Sequence, residues 1–336
     1  MRRTWITLAL SVAFLGILLS QTNLHAIVAS FGGLSPWAAV AGLVVWALIN
    51  WLRARRFSIL VHSREVSPAR MFSIVNVQNL LATITPGRAG ELSYVVLLRQ
   101  DGLVPGAEGL AGLVVARAMD FVVGFGVTLA ALLGVRGALP PESDRVVLTA
   151  ALLFAAALLL ALQITRVSET GVRVLDAVLR WTRLGRWDTA RRAAARVADV
   201  HAHIVQVQTS ERGLRRLWAL TGAIWVASYG VSWIWLAGLG LPLTLGKVIF
   251  VAAVAGLATS LPVQGLAGLG TTEAGWAIPL VLLGIPKEDA IGAGFCLHAL
   301  AILYLALLGA AGAFHLALAR RGHAAGAAPA ARKKTK

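Results

Sequence analysis

Apolar residues in this chain come in long runs, and the polar positions gather between them. A helix crossing the hydrocarbon of a bilayer needs about 20 mostly apolar residues. Six runs approach that length: 4–20, 36–52, 109–133, 146–165, 217–239 and 291–318. Two further stretches, 71–98 and 247–284, are apolar but are broken at their centres by proline, glycine and glutamate. The pattern predicts an all-α polytopic integral membrane protein. It has about six full transmembrane helices and two broken re-entrant hairpins, or eight crossings if each hairpin is counted as short spans.

Composition supports the membrane reading. Of 336 residues, 58% are hydrophobic and 14% charged, and mean hydropathy is +0.76. Soluble domains carry about a quarter charged residues. The first run follows Met1-Arg2-Arg3 without a clear small-x-small cleavage site, so it reads as an uncleaved helix rather than a signal peptide. The single cysteine, Cys296, excludes an intrachain disulfide framework and reads as a small core residue.

The formal net charge of +16 orients the spans. Loop 21–35 has no Lys or Arg, whereas 53–70 carries Arg53, Arg55, Arg56, Arg64 and Arg70. Segment 166–216 has eleven arginines against five acids, and the tail holds Arg320, Arg321, Arg332, Lys333, Lys334 and Lys336. Basic loops stay in the cytoplasm. Both termini, 53–70 and 166–216 are therefore expected inside, in the inner (plasma) membrane of a cell. The first hairpin then enters from the cytoplasmic side and the second from the opposite side. Span, hairpin, span recurs with opposite polarity over about 37–133 and 217–318, the pattern of inverted-topology repeats.

Within 166–216, Val174, Val178, Trp181, Val197, Val200, Ile204 and Val207 recur at helical spacing between arginines. Two readings stay open: an amphipathic helix on anionic inner-leaflet lipid, or a solvated helical hairpin. Trp37, Trp46, Trp51, Trp218 and Trp235 fall near span ends and read as interfacial aromatics. Residues 321–336 read as a disordered basic tail.

Candidate chemistry lies where charge meets the apolar runs. An ion at bilayer depth normally faces protein or a water-filled cavity, and a helix breaks there only if other partners take up the freed backbone groups. Arg88 and Glu91 follow the break at Pro86-Gly87, with Gly90 between them. Three residues apart, they can pair with each other, or Arg88 can fork onto a phosphate. Arg117 and Asp120 sit inside 109–133 with the same spacing, as a self-neutralising pair or as a cavity wall. Glu273 follows Pro262, Gly268 and Gly270 and has no cation within a turn. Its expected partner is remote, Arg88 or Arg117, unless it is protonated or carries a proton in a coupled cycle. His298 is either a proton relay or a hydrogen-bonded contact between helices. His201 and His203 lack further ligands at metal spacing.

No P-loop, Gly-x-Ser-x-Gly elbow or Asp-x-Asp pair occurs, and the basic segment lacks stacking aromatics for nucleic acid. The sequence thus predicts no enzyme activity, no cofactor, no metal and no nucleic-acid partner.

Three motifs, Pro86-Gly87-Arg88-Ala89-Gly90-Glu91, Ala116-Arg117-Ala118-Met119-Asp120 and Gly268-Leu269-Gly270-Thr271-Thr272-Glu273, resemble the flippase-like transmembrane domain of the lysylphosphatidylglycerol synthase family. The resemblance covers about 1–320. Ala116 stands where that family usually has Glu, and Val263-Gln264-Gly265-Leu266-Ala267 replaces a tighter Pro-Gly-Gly approach. The resemblance implies a bacterial inner-membrane protein that moves, or helps move, a lipid between leaflets. The chain ends at Lys336, so the lysyl transfer of longer relatives is not expected of it.

The leading expectation is a lipid flippase or lipid-handling transporter for a membrane phospholipid or glycolipid. Arg88 and Arg117 would hold the headgroup phosphate, and Glu91, Asp120 and Glu273 would balance charge. The alternative is a scaffold or accessory subunit that docks a lipid-modifying or glycosyltransferase partner enzyme through 166–216.

Overall fold

The computed structural model describes residues 30–61, 66–100, 104–138, 162–182, 187–208, 211–241, 243–259 and 266–332, with short pieces between 148 and 159. The expected span 4–20, parts of 146–165 and Pro262 lie outside the described residues. Among the described residues the chain is helical and has no strand.

In chain order the helices are α1 (Pro36–Leu60), α2 (Pro68–Ile84), α3 (Ser93–Arg99), α4 (Gly106–Val135), α5 (Ile164–Trp181), α6 (Asp188–Gln208), α7 (Glu211–Gly238), α8 (Leu245–Ala258), α9 (Thr271–Leu282) and α10 (Lys287–Arg332). Three 3₁₀ turns, Pro86–Leu92, Arg136–Ala138 and Leu266–Gly268, interrupt the series among the described residues. Among the described residues four helices are long and apolar enough to span a bilayer: α1, α4, α7 and the Lys287–Arg320 part of α10. The protein is a multi-pass membrane protein.

Helix starts follow local chemistry. Pro36 and Pro68 occupy first-turn positions, where the missing N–H costs nothing. Ser67 caps α2 by accepting from the Arg70 N–H at 3.3 Å. Two boundaries differ from expectation. α1 runs to Leu60 rather than ending near 52. Its basic triplet divides around the helix: Arg55 is exposed over the Trp51 ring at 5.8 Å, while Arg56 turns into the protein. α10 continues to Arg332 through the alanine-rich stretch expected to be disordered, since alanine has the highest helix propensity.

Both broken segments are hairpins. α2 has 17 residues and α8 has 14, about 25 and 21 Å at 1.5 Å per residue. Neither reaches the ~30 Å hydrocarbon thickness. A Cβ on Gly90 would lie 2.2 Å from the Leu81 carbonyl oxygen, so the first hairpin closes on bare backbone. In the second, a Cβ on Gly275 would lie 2.7 Å from the Ala258 Cβ.

Contacts with the long helices set the sense of each hairpin. α1 and α7 run antiparallel: the Ser35 N–H donates to the Gly238 carbonyl at 2.9 Å, and Arg56 reaches Thr221 at 3.2 Å. Tyr304 of α10 donates to the Ala39 carbonyl, and lower on α10 Gly309 meets Leu80 while His315 bonds Ser73 at 2.8 Å. Arg320 bonds Gln100. The first hairpin therefore opens toward the end where α1 and α10 finish. The second, which follows α7, opens toward the end where α1 begins. α2 touches the Leu266–Gly268 turn, so the two interrupted segments meet inside the bundle.

Two apolar cores flank this meeting. One gathers Ile49, Trp235, Val251, Leu280 and Leu297. The other gathers Phe57, Met71, Tyr94, Val115 and Leu217. The buried polar layer lies between them. α6 packs on α4 and sinks Ile204 into the second core, and Cys296 is buried.

Candidate functional site

The polar layer is built from α1, the 86–92 turn, α4 and α7. Arg56 is 2% exposed and grips Asp120 through both guanidinium nitrogens, at 2.6 and 2.9 Å. Arg117 grips Glu91 the same way, Nε and Nη each at 2.9 Å, and its other Nη lies 3.8 Å from Asp120. The four groups form one chain, Arg56–Asp120–Arg117–Glu91. Paired forks suit planar guanidinium and carboxylate groups, and buried charges persist only when paired in this way. Beside the chain, Asn50 donates to Asn76 at 2.8 Å and accepts from Asn79 at 3.0 Å. Arg53 donates to the Asn50 side-chain oxygen Oδ1 at 3.5 Å.

The turn that positions Glu91 follows from Thr85. Its hydroxyl donates to the Leu81 carbonyl and accepts from the Gly90 N–H, both at 2.7 Å. The hydroxyl thus takes up the Gly90 amide, while the Leu81 carbonyl also receives the Thr85 N–H at 3.1 Å.

A cavity of about 590 Å³ opens on this layer. Arg53, Glu91, Arg117 and Asp120 line one part of its wall. Trp46, Phe121, Phe125, Trp225, Tyr229, Trp235 and Trp276 line much of the rest. Such a mostly apolar wall with a few converging polar groups is the usual form of a ligand site.

The structure thus brings Glu91, Arg117 and Asp120 together, as a charged wall requires. Arg88 lies in the same turn, but its side chain is outside the described residues. Glu273 is elsewhere and does not line the cavity. Its side-chain partner among the described residues is His298 rather than Arg117: Oε1 meets His298 Nδ1 at 2.9 Å, and Oε2 accepts the Gly270 N–H at 2.7 Å. His298 Nε2 faces the Ala267 carbonyl at 3.1 Å. Glu273 is 1% exposed and caps the first turn of α9, where a carboxylate satisfies an orphan N–H and the helix dipole together. Ala267, Gly268 and Gly270 take positive φ of 54°, 76° and 83°. Glu273 and His298 hold the second break in shape, and His298 is a contact between helices.

The sequence reading missed Arg56, Arg53 and the asparagines. It placed Arg56 in a cytoplasmic loop because three arginines in four residues look like a loop end. The available signal was Phe57-Ser58-Ile59-Leu60-Val61, an apolar run that continues past them. Trp46 and Trp235, read as interfacial, instead line the cavity, stacked at 5.5 Å between ring centres. Trp37 and Trp51 remain exposed.

A family model described as the lysylphosphatidylglycerol synthase TM region matches residues 4–309. The chain belongs to that family. No curated protein and no solved structure matches it. The lysylphosphatidylglycerol synthase TM region points to a membrane lipid-related function, and the charged chain and its cavity fall within the matched residues.

Proposed function

We propose that the chain is a non-enzymatic lipid-handling transporter that carries the polar headgroup of an anionic lipid between leaflets while the tails stay in the bilayer. The observation that carries this reading is the composition of the cavity wall. Arg53 and Arg117 share that wall with Glu91 and Asp120, so guanidinium groups and carboxylates converge on one part of a largely aromatic cavity. A phosphate would be held there by Arg53 and Arg117 and, from the neighbouring turn, by Arg88.

The two hairpins of opposite sense support the reading, since interrupted helices meeting inside a bundle mark substrate sites in transporters. We assign the segment between α1 and α2, the 166–216 segment and both termini to the cytoplasm of a bacterial inner membrane, on the distribution of arginine. α5 and α6 display Val174, Val178 and Val197 beside arginines at the surface, which suits contact with anionic lipid.

The test is lipid exchange in reconstituted vesicles, followed by quenching a fluorescent phospholipid from one side. The wild-type protein is expected to accelerate exchange. Arg53→Gln and Arg88→Ala are each expected to slow it about tenfold, the scale of losing one bond to a charged group. Exchange unaffected by both variants would remove the headgroup role. If deletion of 166–216 then abolished capture of a partner enzyme, the scaffold reading would replace it.

A further inference from the structure

Glu273 and His298 together hold one proton more than a carboxylate and a neutral imidazole supply. The count follows from their contacts. A carbonyl oxygen only accepts, so His298 Nε2, 3.1 Å from the Ala267 carbonyl, must carry a proton. His298 Nδ1 lies 2.9 Å from Glu273 Oε1, and a hydrogen bond there needs one more proton, on Nδ1 or on Oε1. Glu273 Oε2 accepts the Gly270 N–H in either case. Without the additional proton, lone pair faces lone pair at one of the two contacts. An imidazole protonated only at Nε2 turns Nδ1 onto the carboxylate, and one protonated only at Nδ1 turns Nε2 onto the carbonyl.

The pair closes the break of the second hairpin. Ala267 holds a φ of 54°, costly for a residue with a Cβ, and its carbonyl is the one His298 engages. A Cβ on Gly294 would lie 2.7 Å from the Glu273 carbonyl oxygen, so α10 packs directly on the backbone of that residue. Glu273 and His298 are 1% and 5% exposed, so exchange of their proton with water requires the turn to open. Thr272 and Trp276 of α9 line the cavity, and movement at the start of α9 therefore reaches its wall.

The other described ionisable groups on the elements packed here sit apart. Lys247 is in the first turn of α8, whereas Ala255 and Ala258 near the other end of α8 meet α9. Arg70 is in the first turn of α2. On α10, Lys287, Glu288 and Asp289 lie in the first turn, Cys296 is two positions from His298 and so about 200° around the helix, Tyr304 engages Ala39 and His315 engages Ser73.

We propose that Glu273 and His298 form a proton-binding latch. With the proton bound the second hairpin is closed, and loss of the proton to water leaves an ionised carboxylate and a neutral imidazole and frees the Leu266–Gly268 turn. The latch does not depend on headgroup binding, and its test needs no lipid substrate.

Hydrogen–deuterium exchange of the purified full chain between pH 6.5 and 8.5, read by mass spectrometry and corrected for intrinsic chemical exchange, follows the amides from 268 to 274. A closed form that needs one proton more than the open form loses up to about tenfold in closed-to-open ratio for each unit that pH rises. Protection at 268–274 is therefore expected to fall by about tenfold or more across the series. The Gly90 amide donates to the Thr85 hydroxyl, which does not titrate, and is expected to keep its protection. Glu273→Gln carries an amide N–H where a protonated carboxyl carries its O–H, and is expected to stay protected throughout. Constant protection at 268–274 in the wild type, or an equal fall in Glu273→Gln, would overturn the proposal. Equal loss at Gly90 and at 268–274 would also overturn it, since it would mean general opening rather than release of one turn.

Discussion

Arg56 shows how a single side chain decides the interior of this protein. It is 2% exposed, and it holds Asp120 by two bonds and Thr221 by a third. Removing one member of a buried ion pair strands the other and costs about 3–5 kcal/mol, whereas replacing both by apolar residues is often neutral. Arg56→Ala and Asp120→Ala are each expected to lower thermal stability by that order. The double variant Arg56→Met/Asp120→Leu is expected to recover most of it. Unfolding of the three variants in detergent, followed by intrinsic fluorescence, checks this. Equal loss in the double and single variants would show that the pair is not one unit. The sequence made Asp120, Arg117 and Glu91 legible because a charge inside an apolar run is conspicuous. It hid Arg56 because a charge at the end of a run resembles a loop, and only the third dimension shows which arginine of a cluster turns inward. The pairing of Glu273 was hidden for a related reason. His298 is 25 residues away on another helix, and nothing local names it.

At the scale of elements, the breaks were legible and their closure was not. Pro86-Gly87 and the glycines from 268 to 270 announce interruptions, because proline lacks an N–H and glycine tolerates positive φ. How closely the arms approach depends on what each glycine faces. Gly90 faces backbone: an added Cβ would meet the Leu81 carbonyl carbon at 2.3 Å as well as its oxygen, and neither can rotate away. Gly90→Ala is therefore expected to open the first hairpin. It should cost at least the ~1–3 kcal/mol typical of overpacking and separate Glu91 from Arg117. Gly126→Ala, where an added Cβ meets nothing within 4 Å, serves as the control. Comparing the melting temperatures of the two variants tests the difference, and equal stability would contradict the closure described here.

At the scale of the molecule, four long helices among the described residues pack around two hairpins that enter from opposite ends, and the first hairpin supplies Glu91 to the polar layer. The two interrupted segments were readable from the apolar runs and their breaks. The cavity was not, because its wall draws on residues as distant in sequence as Trp46, Glu91, Trp225 and Trp276. The arrangement predicts sidedness. In a Cys296→Ala background, cysteine at position 70 or 100 should react with an impermeant maleimide from one face of the membrane only. Cysteine at 240 or 284 should react from the other face only. Labelling of both ends of one hairpin from opposite faces would mean that it crosses fully.

The most direct test of the central claim is to obstruct the cavity. Ser228 lines it beside Trp225 and is partly buried. With Ser228→Cys in the Cys296→Ala background, lipid exchange is measured in reconstituted vesicles before and after coupling a bulky maleimide. The path described here predicts near wild-type exchange before labelling and a fall to the protein-free rate after it. Exchange that continues unchanged with the cavity filled would place the lipid route elsewhere.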